Sequence, residues 1–365
     1  MKVRTKSKAS MIRTATALAM GIALLAWLTA ITARGKEKVE VKVEAPRELV
    51  WPAAPDTPRI KFLNSFASPK DLKFKRQSFL KMLVKKIVGM DDHEPHMVYP
   101  YGLTTDSQGR LIAVDSKLRL VHVFDVKKKA YFSIKAPDKE RFVSPVGVAL
   151  DAADNVYVSD SYRGEVFIFD PQGKLKDVIG RPEGIFKRPT GIAIDKAEGR
   201  LYVVDTLRNE VVATDLQGHT LFRFGKRGDE DGEFNAPTQI CFKDGRLYVT
   251  DTLNARIQVF DRRGNFISAS GRLGNGAGDL DKPKGVALDS EGHIYVVEGL
   301  HDVVQIFDNK GRFLLAFGGT GSQIGEFYLP TAIHIDAEDN IYVADSYNSR
   351  IEVFKYLKGS DAAVN

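Results

Sequence analysis

Cysteine is nearly absent. Among 365 residues there is one, Cys241, which excludes an intrachain disulfide and a cysteine-based zinc cluster. Cys241 lies in the apolar run TQICF and reads as a small buried hydrophobe. A phosphate-binding glycine motif ahead of a helix is also missing, and no Ser/His/Asp set can be placed together. So is a basic body. The net charge of +6 arises near the amino terminus, where residues 1–50 carry ten Lys/Arg against four Asp/Glu and residues 51–90 carry nine against two. Residues 91–365 hold 34 basic and 41 acidic residues, a net −7. Phosphate contacts need positive potential, so no nucleic-acid partner is expected.

One long charge-free run stands out, TATALAMGIALLAWLTAITA at 14–33, behind Lys2, Arg4, Lys6, Lys8 and Arg13. Twenty helical residues span about 30 Å, the thickness of a hydrocarbon core. Residues 1–34 therefore read as a signal anchor or a signal peptide. Ile31 and Leu28 stand where a cleavage site ending at Ala33 or Ala30 wants a small residue, which favours a retained anchor. The basic end stays in the cytoplasm and the rest is exported, to a periplasmic or other extracytoplasmic location, with membrane contact through 14–33. Residues 35–58 alternate charges and carry four prolines, the composition of an extended linker.

What is abundant is repetition. NVYVSDSYRGEVFIF (155–169), RLYVTDTLNARIQVF (246–260) and NIYVADSYNSRIEVF (340–354) say nearly the same thing. With proline as phase mark, units begin near Pro100, Pro145, Pro189, Pro237, Pro283 and Pro330, at intervals of 45, 44, 48, 46 and 47. Each unit offers four short runs rich in Val, Ile, Tyr and Phe, separated by Gly/Asp/Asn turns, which is strand and hairpin chemistry. Four strands in about 46 residues is one propeller blade.

These units resemble NHL repeats. The links FGKRGDEDGEFNAP (224–237) and FGGTGSQIGEFYLP (317–330) carry the family's glycine pattern at Gly225, Gly228, Gly232, Phe234 and Pro237, and at Gly318, Gly321, Gly325, Phe327 and Pro330. The match runs over roughly 98–356 and implies an all-β, six-bladed propeller of the exported bacterial type. The sixth unit stops after its third strand, and RIKFLNSF (59–66) is an orphan strand-like run. Pairing the two predicts a propeller over 59–358, closed by an N-terminal strand, with a tail at 359–365. Between them, 72–90 places Phe79, Leu83, Ile87 and Met90 at helical spacing with Lys75, Arg76, Lys81, Lys85 and Lys86 elsewhere around it, predicting a short amphipathic helix that packs on the propeller, the other readings being a membrane surface or a partner groove.

Each unit repeats an acid at the end of its second strand: Asp115, Asp160, Asp205, Asp251, Glu298 and Asp345. An acid present in every blade at one turn is expected to serve the blade, by accepting backbone N–H groups in the turn between the second and third strands. Arg256 and Arg350 suit a similar structural role. Catalysis needs asymmetry instead. One position on the first strands reads Thr104, Ala149, Ala193, Cys241, Ala287 and His334, so His334 is the odd member of a ring expected to line the central channel. It is the one weak metal candidate, because no other first strand supplies a histidine. The histidine-bound metal of six-bladed amidating lyases and the Glu/Asn/Asp set of sugar-lactonase propellers are not recognisable. His93 and His96 in DDHEPH read as a solvated loop, and Glu298–Asp302 as a departure of blade five. Arg227-Gly228-Asp229 falls in a regular link and does not suggest adhesion.

The sequence thus points to an exported, non-enzymatic scaffold for a protein or other envelope ligand, with no cofactor. Its rival is a metal-dependent lyase or hydrolase acting near His334.

Overall fold

The computed structural model describes residues 48–72, 96–181 and 184–359. They form six antiparallel sheets, one per repeat, and the described residues contain no α-helix. Blade three shows the pattern: Pro189–Asp195, Arg200–Asp205, Glu210–Asp215 and Thr220–Phe224 pair in that order. Its middle strands are buried on both faces, as a sheet sandwiched between neighbouring blades must be, and its fourth strand is largely exposed at the rim. First strands of successive blades touch in turn, and the sixth touches the first, so the ring is closed.

Register fixes the orientation of every blade. Pro100 pairs with Asp115, Pro145 with Asp160, Pro189 with Asp205, Pro237 with Asp251 and Pro283 with Glu298. The repeated acid, the turn after it and the link from the preceding blade therefore share one end of the ring, the proline face. The turns between strands one and two, and between three and four, lie on the opposite face.

The link motif has a steric origin. Gly225 and Gly318 have φ of +88° and +97°, and a Cβ on either would fall inside the rings of Phe234 and Phe327. Those two rings are fully buried, each packed against a phenylalanine of the next blade, Phe260 and Phe354 respectively. The glycine is what lets each ring seat there.

Blade six takes its outer strands from the other end of the chain. Ala332–Ile335, Asn340–Asp345 and Arg350–Tyr356 are followed outward by Ile60–Phe66 and then by Val50–Trp51. Here the sequence reading needs correction: the linker expected to run through residue 58 ends earlier. Trp51 packs at 5.9 Å from Phe317 and 5.7 Å from Phe354, so apolar surface draws Val50–Trp51 in as a fifth strand. The sequence is too short and proline-rich there to signal a strand. Of the amphipathic helix expected over 72–90, only Leu72 lies within the described residues, buried at the end of the 3-10 turn Pro69–Leu72. The apolar run 14–33 and the 360–365 part of the expected tail lie outside them.

Candidate binding face and central channel

The six repeated carboxylates are fully buried. Each reaches further than its own turn. Asp115 accepts backbone N–H groups from Lys117 (3.0 Å) and Leu118 (2.8 Å) in the turn, and from Val98 (2.7 Å) and Tyr99 (3.2 Å) in the segment leading into Pro100. Asp160 does the same with Tyr162, Arg163, Val143 and Ser144. Glu298 takes Asp281 (2.9 Å) and Lys282 (2.8 Å) with its longer side chain. Asp251 and Asp345 each bind one link N–H, an asparagine amide and an arginine, Arg256 or Arg350, at 2.8 Å. The arginine in turn donates to link carbonyls, Glu230 and Glu233 or Gln323 and Glu326. The linkage between turn and link was not readable from the turn alone. Burial raises the Asp115 carboxyl, but His122, 3.6 Å away, and the backbone N–H bonds outweigh it and hold it below the ordinary range.

Asp205 accepts from Lys187 (2.6 Å), Arg188 (3.0 Å) and Arg208 (3.3 Å). Asp205→Ala removes the acceptor for all three groups, and a loss of about 1–2 kcal/mol of stability is expected. Thermal unfolding of the variant checks this. Unchanged melting together with lost ligand binding would assign the acid to function instead.

The central channel is lined by all six members of the predicted column: Thr104, Ala149, Ala193, Cys241, Ala287 and His334. The cavity measures about 240 Å³. His334 shares 2.9 Å with the Thr105 hydroxyl of blade one. Enclosure by the ring pushes its pKa down to about 4, with Lys196 and Lys243 at the same mouth adding to the effect and Asp336 opposing it. The imidazole is therefore neutral at physiological pH. Burial raises the Cys241 thiol to about 11, so it is not a thiolate. Among the described residues no group of three or more His, Cys, Asp or Glu is arranged to hold a metal ion. His96 is exposed and His93 lies outside the described residues. Arg227-Gly228-Asp229 sits in its link, with the Gly228 N–H bonded to the Phe234 carbonyl at 3.0 Å.

The proline face carries a feature the sequence reading passed over. Two residues beyond each repeated acid stand Lys117, Tyr162, Leu207, Leu253, Leu300 and Tyr347. The five apolar members are 50–78% exposed. Val126 is the one exposed large hydrophobe in the turns of the opposite face among the described residues. The signal was present, since a tight polar turn has no local use for leucine or tyrosine at its tip, but a hydrophobe in a repeat is first read as core. Tyr99 and Tyr328 extend the set, with rings 5.9 and 5.1 Å from Tyr347.

Similar folds occur in solved structures. A structural genomics protein of unknown function from Bacteroides thetaiotaomicron is 17% identical, over 71% of this chain and 70% of that one, with a TM-score of 0.58. An auxiliary nutrient binding protein from the same organism is 15% identical over 71% and 69%, TM-score 0.57. A gluconolactonase from Xanthomonas campestris is 17% identical over 71% and 86%, TM-score 0.55. At these identities the likeness is one of fold alone, and it spans both binding proteins and enzymes. The sequence itself matches the 6-bladed β-propeller family DUF5128 over residues 104–224, 228–299 and 285–358. Since these stretches take in well over half of the chain, the protein belongs to that family of six-bladed β-propellers.

Proposed function

We propose that this protein is a binding scaffold of NHL type that presents its proline face to a partner. The observation that carries the reading is the ring of Tyr162, Leu207, Leu253, Leu300 and Tyr347, held in solvent at one repeat position. Keeping large apolar side chains at turn tips on one face of a rigid ring is what a docking surface requires and what a solvated face avoids. The link glycines and six repeats support kinship with NHL repeats. The basic leader and the apolar run 14–33 support export with a retained membrane anchor. Intact-mass measurement on native protein tests the anchor; a mass beginning near residue 31 or 34, in soluble protein, sinks it.

The scaffold reading is tested with a triple variant, Tyr162→Ser, Leu253→Ser and Leu300→Ser, against a rim control, Leu221→Ser. Partners crosslinked by the wild type and by the control are expected to be lost with the ring variant, at unchanged melting temperature. Equal capture by all three proteins removes the ring from binding.

The rival reading, a metal-dependent lyase or hydrolase at the channel, draws on His334 being the one histidine in the column. Its expected signature is one divalent metal per chain in purified protein, lost in His334→Ala.

A further inference from the structure

The proline face combines its apolar ring with cations that form no ion pair among the described residues. Lys117 fills the sixth ring position and is exposed. Lys187 and Arg188 stand exposed on the link leading into Pro189, and Lys284 follows Pro283, half-buried with its side chain against Gly299. None of these four makes an ion pair with a carboxylate among the described residues. Arg188 is held on this face by its backbone N–H, which donates to Asp205 at 3.0 Å, with its side chain exposed. Most acids of this face are engaged, with Asp138 on the link into Pro145 an exposed exception. The repeated carboxylates are buried, Glu140 pairs with Arg163 and Arg181, Asp279 with Arg272, and Asp281 with Lys282. Asp229, Glu230 and Asp231 stand exposed on the link into Pro237, beside Lys226 and Arg227 of the same link. The face thus carries exposed apolar tips and exposed cations together.

The chain's own remaining segments do not fit it. Residues 1–47 hold ten basic and three acidic residues, and residues 73–95 hold six and three, so both carry the same sign as the face. A nucleic acid fits poorly as well. Three of the five apolar ring members are leucines, which offer no stacking platform, and the net −7 of residues 91–365 opposes a polymer charged at every step. What suits leucine and tyrosine tips interleaved with sparse cations is a chain of lower charge density with its own large side chains.

Resting on the scaffold reading above, we propose that the proline face takes an acidic, aromatic-bearing polypeptide segment of another protein, with Lys117, Lys187 and Arg188 meeting its carboxylates and the ring covering its rings.

The test uses purified full-length protein and fluorescently labelled probes: a random Glu/Tyr copolymer at 1:1, a Lys/Tyr copolymer at 1:1, and a twenty-nucleotide oligo-dT. The Glu/Tyr copolymer is expected to bind, to weaken as salt rises, and to outcompete both other probes. Lys117→Glu with Arg188→Glu, and separately Tyr162→Ser with Leu253→Ser, are each expected to weaken it about tenfold or more at unchanged melting temperature. If the ring variant abolishes binding while the charge variant leaves it unchanged, or if the Lys/Tyr copolymer binds as well, the acidic class is wrong and the scaffold reading stands. If neither variant changes binding, or the Glu/Tyr copolymer does not bind, the proposal falls; insensitivity to the ring variant counts against the face itself. Tighter binding of oligo-dT replaces a protein partner with a nucleic acid and overturns it.

Discussion

A chain beginning at Lys70 is expected to fail as a soluble monomer. It lacks Ile60–Phe66, which pairs along Arg350–Tyr356 from Ile60↔Tyr356 to Phe66↔Ile351, and it lacks Trp51. Ile60 and Phe66 are almost completely buried, and Phe62 and Trp51 pack edge-on against Phe354. Burial of each such side chain stabilises by about 1.5–3 kcal/mol, so the loss is on the order of 5 kcal/mol or more. Total stabilities are about 5–15 kcal/mol, which leaves little in reserve. The strand Arg350–Tyr356 would also present unpaired backbone groups at an apolar edge, a template for association. Size-exclusion chromatography and thermal unfolding decide the matter. A monomeric, cooperatively melting truncation within a few degrees of the full chain would show that the ring closes without this strand.

Glu352→Gln is expected to stabilise the protein above neutral pH. Seven residues beyond the repeated acid, blades four and five carry glutamine. The Gln258 amide donates to the Glu233 carbonyl at 2.6 Å while its oxygen accepts the Gly232 N–H at 2.9 Å. Gln305 does the same with Asp279 and Gly278 at 2.7 and 3.0 Å. Blade six has Glu352 in this slot, fully buried, accepting the Gly325 N–H at 3.0 Å but, when ionised, unable to donate to the equivalent carbonyl of Glu326. Burial raises its pKa to about 7, although Arg350 at 3.1 Å opposes the rise.

The sign follows from linkage. Between the ordinary glutamate value, 4.5, and about 7, the folded state holds a proton that the unfolded state has released. Stability therefore falls as pH rises through this window, and the cost is complete above it. Glutamine supplies the amide donor and removes the titration. A gain of about 2 kcal/mol at pH 8 is expected, shrinking toward zero below pH 4.5. Denaturant unfolding of both proteins at pH 4.5, 6 and 8 measures it. A variant less stable than wild type at pH 8 would mean that Glu352 is ionised and that its pairing with Arg350 outweighs burial.

The sequence by itself determined the number of blades, their phase and the all-β class. Short runs rich in Val, Ile, Tyr and Phe and the Gly/Asp/Asn turns between them are local signals, and six copies spaced by about 46 residues reinforce one another. RIKFLNSF was legible as a strand for the same reason, and the channel column from Thr104 to His334 followed from the phase alone. What only the tertiary structure decided depends on groups brought together by the ring. The acid of each turn binds the link about seventeen residues before it, as Asp115 binds Val98. His334 meets Thr105, which lies 229 residues away in sequence. Glu352 differs from Gln258 by one atom type, and only burial beside a backbone donor and an arginine shifts its proton. Tyr162, Leu207, Leu253, Leu300 and Tyr347 look like core residues in a repeat. They stand in solvent because the repeated acid anchors its turn inward on the link and leaves the turn's tip pointing out. Local pattern encodes which residues form strands; long-range closure sets which side chains are covered, which are bonded and which are left to meet a partner.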